Sequence, residues 1–223
     1  QMIRLLSTKL LLPQEVEAFA ALGFQVESLP LIRVQLSETI EAFPQADFAI
    51  FTSGNALEAL QKHPAAKALA PHRAFCVGAK TRERLESAGW EVIASFGYAQ
   101  QLANYLVEQY ASYSFVFFCG ESRMETLPKV LAKRGIPCYE CLTYTTELTP
   151  KKLAKHYDGL LFFSPSAVRS FLAANSFAEE KIFCIGSTTQ SALPEGVSSY
   201  IAQSPTLEGM IERCREIFNN RQT

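Results

Sequence analysis

Short apolar runs alternate with amphipathic stretches along most of the chain. The apolar runs are rich in Phe, Ile, Val and Cys and have the length of buried strands, whereas the amphipathic stretches repeat their apolar positions every three or four residues, as helices do. The pattern predicts ten strands, at Ile3–Ser7, Gln25–Leu29, Phe48–Phe51, Ala74–Val77, Glu91–Ala94, Phe115–Cys119, Cys138–Thr143, Leu160–Phe163, Ile182–Ile185 and Ser199–Ala202. Helices are predicted between most of them, at Gln14–Leu22, Ala56–Gln61, Thr81–Ala88, Leu102–Gln109, Thr126–Arg134 and Ala167–Ala174.

Alternating strands and helices are typical of α/β proteins, in which parallel sheets carry helices on both faces. Ten strands in 223 residues fit two small doubly wound domains better than one sheet. A faint internal repeat agrees with this count, because residues 48–56 resemble residues 160–167 and residues 75–81 resemble residues 183–189. The offsets are similar: Ser164 follows Ser53 by 111 residues, and Thr189 follows Thr81 by 108.

Two extended stretches without a helical pattern, Leu29–Leu36 and Cys141–Thr149, flank the middle of the chain. We interpret both as connections between domains. The sequence then predicts a second α/β domain at residues 36–143, inserted into a discontinuous first domain made of residues 1–35 and 144–223.

Composition narrows the class of protein. Apolar residues make up 48% of the chain and charged residues 19%, which is typical of a globular protein and excludes wholesale disorder. The formal net charge of −1 argues against a dedicated nucleic-acid binder but leaves a small anionic ligand possible. The longest apolar runs, Ala18–Leu22 and Phe115–Cys119, are far shorter than the roughly 20 residues that a membrane span needs. We therefore expect a soluble, cytoplasmic protein.

The six cysteines lie mostly in or beside apolar runs, as small buried side chains do in a reducing compartment. Cys138 and Cys141 form a single CxxC motif, but residues three apart in a strand point to opposite faces of the sheet. A zinc or redox site would need a second CxxC or nearby histidines, and the three histidines are scattered. We expect no metal site.

The most informative chemical features are turns that carry a hydroxyl group directly after a strand. Ser53 and Ser164 each follow one strand, and Gly78-x-x-Thr81 and Gly186-x-x-Thr189 each follow another. Glycine permits a tight turn, Ser and Thr cap the following helix, and the helix N-terminus then favours an anion. The alternative is that these hydroxyls are ordinary helix caps. Their recurrence in both halves favours one polyanionic ligand.

Motifs for common cofactors are missing. The sequence contains no GxGxxG after a strand, no GxxxxGK[ST] and no GxSxG. Gly120-Glu121-Ser122-Arg123 follows another strand, where Arg123 would suit a ligand carboxylate. The alternative is that Glu121 caps a helix and Arg123 faces solvent.

Two further side chains are candidates. Tyr144 lies beside one predicted connection, where its phenol would donate a proton or a hydrogen bond, although strands also hold many purely structural tyrosines. Lys9 follows the first strand and would supply a local positive charge, although most lysines simply face water.

Together these segments resemble the uroporphyrinogen-III synthase family. The resemblance rests on Phe51-Thr-Ser53-x-Asn-Ala56, Val77-Gly78-x-x-Thr81, Gly120-x-x-Arg123, Tyr144, Phe163-Ser164-Pro165-Ser166, Ile185-Gly186-x-Thr188-Thr189 and Ser204-Pro205-Thr206, which occur in the family's order over nearly the whole chain. Lys9 departs from the pattern, because the first turn in this family often carries Arg; the charge is kept but bidentate carboxylate binding is not.

The resemblance implies two α/β domains joined by two extended connections, and a cofactor-free lyase that acts in the cleft between them. Its substrate would be hydroxymethylbilane, a linear tetrapyrrole that loses water and closes to a macrocycle with ring D inverted. Hydroxymethylbilane synthase would be a transient partner, and a monomer is expected. Tyr144 and Thr81 would be catalytic, and the substrate would contact Lys9, Ser53, Gly78, Gly120, Arg123, Ser164, Pro165, Ser166, Gly186, Thr188 and Thr189.

Two other functions fit the same sequence pattern. A non-catalytic two-domain protein that binds a small polyanion would need the same turns but no turnover. A flavodoxin-like regulatory module is a weaker alternative, because it gives no reason for paired turns in both halves.

Overall fold

A computed structural model describes residues 2–219. Gln1 and residues 220–223, at the two ends of the predicted first domain, lie outside the described residues. In chain order the elements are β1 (Ile3–Ser7), α1 (Pro13–Ala20), β2 (Phe24–Ser28), β3 (Ile32–Leu36), β4 (Phe48–Phe51), α2 (Gly54–Gln61), α3 (Pro64–Leu69), β5 (Arg73–Val77), α4 (Ala79–Ser87), β6 (Glu91–Phe96), α5 (Ala99–Gln109), β7 (Phe115–Gly120), α6 (Thr126–Lys133), β8 (Cys138–Leu148), β9 (Gly159–Phe162), α7 (Pro165–Leu172), β10 (Lys181–Cys184), α8 (Ser187–Gln190), β11 (Tyr200–Ile201) and α9 (Leu207–Asn219).

The chain forms two compact units, each built around its own sheet. The first unit combines the described residues up to Arg33 with those from Glu147 onward, and the second is Val34–Thr146. The first sheet has the order β11-β10-β9-β1-β2, and the second has the order β3-β8-β7-β4-β5-β6. The strands from β4 to β8 pair in parallel, as do all neighbours in the first sheet, so the predicted α/β class with parallel sheets is confirmed.

Both faces of each sheet are buried, which explains the continuous apolar runs of the central strands. In β4, Phe48 and Ile50 pack against one set of helices, whereas Ala49 and Phe51 pack against the other set on the opposite face. The same alternation occurs in β1, where Leu5 and Leu6 belong to different core clusters. When helices cover both faces of a sheet, its central strands have no polar face. Their sequence therefore lacks the alternation of polar and apolar residues that marks a half-exposed strand.

Three helices lie outside the predicted set: α3, α8 and α9. The apolar residues of α9 (Leu207, Met210, Ile211, Cys214 and Phe218) are buried against the core that contains Leu5. Their spacing is helical, so this element was recognisable in the sequence. In contrast, α8 spans only four residues and has no periodicity to recognise.

Eleven strands occur in the described part of the chain, compared with ten predicted, because the first predicted connection contains β3. The two stretches interpreted as connections pair with each other as antiparallel strands. The Ser37 N–H donates to the Thr143 carbonyl over 2.9 Å, and the Thr149 N–H donates to the Leu31 carbonyl over 2.9 Å. Their residues are largely exposed, so neither stretch has the apolar run that marks a central strand.

Within residues 2–219, no helix is both long and apolar enough to cross a membrane.

Candidate functional site

The order of the strands shows where each sheet should bind a ligand. In the second unit the chain runs from β4 to β5 and β6 on one side, then returns to place β7 and β8 on the other side. In the first unit β2 lies on one side of β1, and β9 to β11 lie on the other. Ligands of open α/β sheets bind at the carboxyl ends of the strands where this direction changes. Those ends belong to β4 and β7 in one unit and to β1 and β9 in the other.

Ser53 follows β4 directly and caps α2. Its backbone is extended, and its Oγ accepts the N–H of Asn55 over 3.2 Å. The expected cap is therefore present. The next residue, Gly54, lies beneath the Arg84 guanidinium, because a Cβ on Gly54 would overlap that group. Arg84 reaches this helix start from α4 and also pairs with Glu58 over 3.5 Å. A positive charge thus lies over the first turn of α2.

Gly78 and Thr81 follow β5, the strand next to β4. Gly78 has a φ of 94°, a conformation that favours glycine, so the tight turn expected there is present. Thr81 is buried in the first turn of α4, but Gly78 is the N-cap residue and no side chain caps this helix. The expectation that Thr81 caps the helix is wrong, because the N-cap position is at Gly78, three residues before Thr81.

Gly120 and Tyr144 lie opposite each other where β7 and β8 end their regular pairing. The register shifts between Cys119 and Gly120, which pairs Gly120 with Tyr144, and the Glu121 N–H donates to the Tyr144 carbonyl over 3.0 Å. The Tyr144 ring lies directly against Gly120, since a Cβ there would overlap the ring. Burial raises the pKa of the Tyr144 phenol, while a hydrogen bond with Ser53 lowers it. The phenol is therefore neutral near pH 7 and keeps a proton to donate.

Arg123 is held by carboxylates of the protein. Its guanidinium pairs with Glu140 and, over 3.4 Å, with Glu125, and its side chain is 22% exposed. The alternative that Arg123 simply faces solvent is therefore wrong. Its Nε is buried and has no hydrogen-bond partner among the described residues. Glu121 is exposed and does not cap α6, whose N-cap residue is Glu125, so that alternative is wrong as well.

A cavity of about 440 Å³ lies beside Tyr144 in the second unit. Its walls include the carboxylates of Glu41, Glu121 and Glu140 together with Leu142. Three carboxylates repel an anion, and only Glu140 is paired with Arg123. The part of the unit suited to an anion is therefore the line of helix starts after β4 and β5, not this cavity.

In the first unit, Lys9 lies at the carboxyl end of β1. Its Nζ is 4.5 Å from the centre of the Phe163 ring, at the end of β9, and 3.9 Å from a Glu15 carboxylate oxygen. The preceding Thr8 is buried, and its hydroxyl donates to the Leu161 carbonyl over 2.8 Å. Lys9 thus lies where β1 and β9 end side by side, with its side chain about one-third exposed.

The turn after β9 resembles the turn after β4. Ser164 caps α7 as expected: its backbone is extended, and its Oγ accepts the N–H of Ala167 over 3.1 Å. Pro165 occupies the first turn, where it costs no hydrogen bond. Ser166 is buried, and its Oγ accepts a hydrogen bond from the Arg169 guanidinium over 3.0 Å.

The turn after β10 differs from its expected counterpart after β5. Gly186 has a φ of −171°, an extended conformation open to any residue, so a tight turn does not explain this glycine. Thr188 is half-buried, and Thr189 is buried in the short helix α8. No side chain caps α8, so the expected Thr189 cap is wrong for the same reason as at Thr81.

The structure gathers the candidate residues into two sets. Ser53, Gly78, Thr81 and Gly120 lie at or just after the carboxyl ends of three adjacent strands of the second sheet, and Tyr144 lies within the next strand, β8, opposite Gly120. Arg123 follows in the β7–α6 loop. Lys9, Ser164, Pro165, Ser166, Gly186, Thr188 and Thr189 lie after three adjacent strands of the first sheet.

Arg84 and Glu140 were not among the residues predicted from the sequence. Arg84 has no local signal, because it reaches α2 from another helix. Glu140 lies four residues before Tyr144, so the sequence alone could place both on the same face of β8. Its pairing with Arg123 could not be predicted, because that requires knowing that β7 and β8 are neighbours.

The cysteines are free thiols with raised pKa values. Burial raises the pKa of Cys119, Cys138 and Cys184 to about 12 and that of Cys141 to about 11, so these thiols are neutral at pH 7. A neutral thiol is a poor nucleophile. Among residues 2–219, no group of three His, Cys, Asp or Glu side chains is placed to hold a metal ion.

Comparisons with known proteins point in one direction. A family model described as "Uroporphyrinogen-III synthase HemD" matches residues 14–212. A protein of Archaeoglobus fulgidus that carries a provisional uroporphyrinogen-III synthase name is 26% identical over an alignment of 219 residues. The match covers 91% of this chain and 92% of that protein. The uroporphyrinogen-III synthetase of Helicobacter pylori has a similar structure, with a TM-score of 0.70 and 21% identity over 97% of this chain and all of the other. A mutant uroporphyrinogen III synthase of Thermus thermophilus gives a TM-score of 0.65 and 20% identity, covering 98% and 99% of the two chains.

Proposed function

The chain belongs to the uroporphyrinogen-III synthase family, and on this premise we propose that it converts hydroxymethylbilane to uroporphyrinogen III. The reaction removes the hydroxymethyl hydroxyl as water, inverts ring D through a spiro intermediate and closes the macrocycle. The observation that carries the proposal is the placement of Tyr144. A neutral phenol lies on β8 beside the carboxyl end of the central strand β7, where the helix-capping Ser53 lowers its pKa.

The substrate carries acetate and propionate arms, so it is a polyanion. Helix starts at the carboxyl ends of β4, β5 and β9 offer backbone N–H groups to such arms, and Ser53 and Ser164 offer hydroxyls. Arg84 and Lys9 add one positive charge in each unit. A protein with a net charge of −1 therefore has local sites for carboxylates without a broad basic surface.

Tyr144 would act as the general acid. Its phenol O–H donates a proton to the departing hydroxyl, which leaves as water, and the pyrrole N–H supplies the equivalent proton that restores the phenol. The phenol is protonated before this step; burial raises its pKa and opposes donation of the proton, and the Ser53 hydroxyl offsets part of this by stabilising the transient phenolate. Thr81, the other proposed catalytic residue, follows β5, the strand next to the one that Ser53 follows, and would help to orient the ring that reacts.

No side chain is needed to form a covalent bond with the substrate. The product isomer depends on how the linear chain is folded when it closes, because the same azafulvene closes without inversion when nothing constrains it. The protein's main contribution would be to hold the terminal rings in the geometry that leads to inversion.

The experiment is to supply freshly prepared hydroxymethylbilane and to separate the isomers formed. We expect the type III isomer to predominate with the protein present and the type I isomer without it. If only the type I isomer forms, while the protein still binds the tetrapyrrole, the chain is a binding protein for a polyanion rather than a synthase.

A further inference from the structure

The Tyr144 side chain reaches toward Ser53, which follows a strand two positions away in the sheet. Tyr144 is on β8 and Ser53 follows β4, while β7 lies between these strands. Neighbouring strands are about 4.8 Å apart, so the backbones of β8 and β4 are separated by roughly 10 Å, and the Tyr144 and Ser53 side chains bridge this distance from opposite sides. The Tyr144 ring lies across the end of β7, against Gly120, and its phenol is near enough to Ser53 for the Ser53 hydroxyl to affect the phenol's pKa.

Gly120 is the residue over which the ring passes. A Cβ on Gly120 would overlap the Cε2 and Cζ atoms of Tyr144 and lie 3.0 Å from its Cδ2 atom. Gly120 is not among the glycines with a positive φ, so its backbone conformation is open to other residues. The three atoms nearest to such a Cβ all belong to the Tyr144 ring, so this ring is what a side chain at position 120 would meet first.

The backbone around the ring is fixed on both strands. The Thr143 hydroxyl donates to the Cys119 carbonyl over 3.1 Å, and the Glu121 N–H donates to the Tyr144 carbonyl over 3.0 Å. Because these bonds hold the two strands on either side of the contact, moving the backbone to admit a methyl group would break them. The ring itself would have to rotate.

We propose that Gly120 is a positioning residue for Tyr144: its bare backbone is the surface on which the ring lies, and it sets the reach of the phenol to Ser53 and to the departing hydroxyl. This inference rests on the proposed role of Tyr144. It also changes the role expected for Gly120, because the ring already occupies the space beside its Cα and leaves no room there for a substrate atom.

The test is a double-mutant cycle with Gly120→Ala, Tyr144→Phe and the double variant. We expect Gly120→Ala to lower kcat by about tenfold or more in the wild-type background, with KM changed less than about twofold. In the Tyr144→Phe background it should change kcat by less than about twofold, because no phenol remains to be displaced. The melting temperature should fall equally in both backgrounds, by roughly 2–10 °C, since the Phe ring meets the new methyl group as the Tyr ring does.

Gly159→Ala is a matched control in the first unit. Its Cβ would lie 2.9 Å from the Leu5 Cδ2 atom, so this variant should also lower the melting temperature while the folded protein keeps its kcat. An equal loss of kcat from Gly120→Ala in both backgrounds, or wild-type kcat in that variant, would overturn the proposal.

If Gly120→Ala folds poorly, Tyr144→Ala tests the same contact. Removing the ring should restore the melting temperature of Gly120→Ala relative to the single variant, and a further decrease would contradict the proposal. These outcomes differ from a failure of the proposed function. That failure would be seen in the wild-type protein, which would then form only the type I isomer.

Discussion

At the scale of single residues, Tyr144 has a phenol that stays protonated at pH 7. Burial raises the pKa of this phenol and so weakens it as an acid, whereas Ser53 stabilises the phenolate and partly offsets that effect. We predict that Tyr144→Phe lowers kcat by about 10- to 100-fold and leaves product affinity nearly unchanged, because only the hydroxyl is lost. Because the pKa is raised above 10, the wild-type rate should show no loss from this group up to about pH 9. Stopped assays of isomer yield against pH measure both effects, and unchanged turnover in Tyr144→Phe would remove its role.

Lys9 is predicted to act in binding rather than in the chemical step. Lys9→Met keeps a side chain long enough to cover Phe163 but removes the charge, so KM should rise about three- to fivefold while kcat stays constant. Lys9→Arg restores the charge and serves as the control. The salt dependence of KM should weaken in Lys9→Met, since one ionic contact is lost. A fall in kcat at unchanged KM would contradict a binding role.

The candidate residues that the sequence predicted share one property: each follows a strand within a few residues. Ser53 and Ser164 were recognisable because a cap requires only a local turn, and the structure confirms both caps. The contact of Arg84 with Gly54 and the pairing of Arg123 with Glu140 were not recognisable, because each joins elements that are separate in sequence. The protrusion of the Tyr144 ring across Gly120 likewise depends on the order of the strands, which no local pattern gives.

At the scale of elements, the loops before β4 and β7 are joined by a reciprocal contact. The Asp47 carboxylate accepts the N–H and the hydroxyl of Ser114 over 2.8 and 2.7 Å, and the Asp47 N–H donates to Ser114 Oγ over 3.2 Å. These hydrogen bonds lower the pKa of Asp47, and the bond from the Ser114 hydroxyl has the largest effect. They hold together the amino ends of the two strands whose carboxyl ends border the candidate site.

We predict that Asp47→Ala lowers the free energy of unfolding by about 1 kcal/mol at pH 7, a small value because the contact is exposed. The folded pKa is below the unfolded one, so this stability is present above the unfolded pKa and is lost as the pH falls through the folded pKa. The stabilities of the variant and of wild type, measured by urea denaturation, should therefore approach each other as the pH falls below about 4. Asp47→Asn, which keeps one acceptor oxygen, should lose less. A difference that stays constant down to about pH 2 would argue against the ionised carboxylate.

Prediction of the elements succeeded where one residue pattern decides the structure. The central strands β1 and β4 have the predicted bounds, because a continuous apolar run between turn residues has few other interpretations. Residues 32–36 were predicted to be extended but not to form a strand, because they are largely exposed and contain no continuous apolar run. In the structure they form the edge strand β3, which pairs with β8. Its status as a strand depends on that partner, which lies about a hundred residues away in the sequence.

At the scale of the whole molecule, each unit completes its own core. The two clusters of the second unit draw all their residues from Val34–Thr146, and the two clusters of the first unit draw theirs from the remaining chain. In the second unit the ends of the segment are also adjacent, because β3 pairs with β8. An inserted domain whose ends meet can be excised without opening its sheet.

We therefore predict that a fragment comprising residues 34–146 folds on its own. It should unfold in one cooperative transition by circular dichroism and disperse its amide resonances as a folded domain does, because both helix layers and the strands from β4 to β7 are complete. The fragment 147–223 is the control. It lacks β1, which lies between β9 and β2, so its edge would expose the core residues that pack on Leu5 and Leu6, and it should remain unfolded. A gradual transition in the 34–146 fragment would mean that the insert depends on the rest of the chain for its stability.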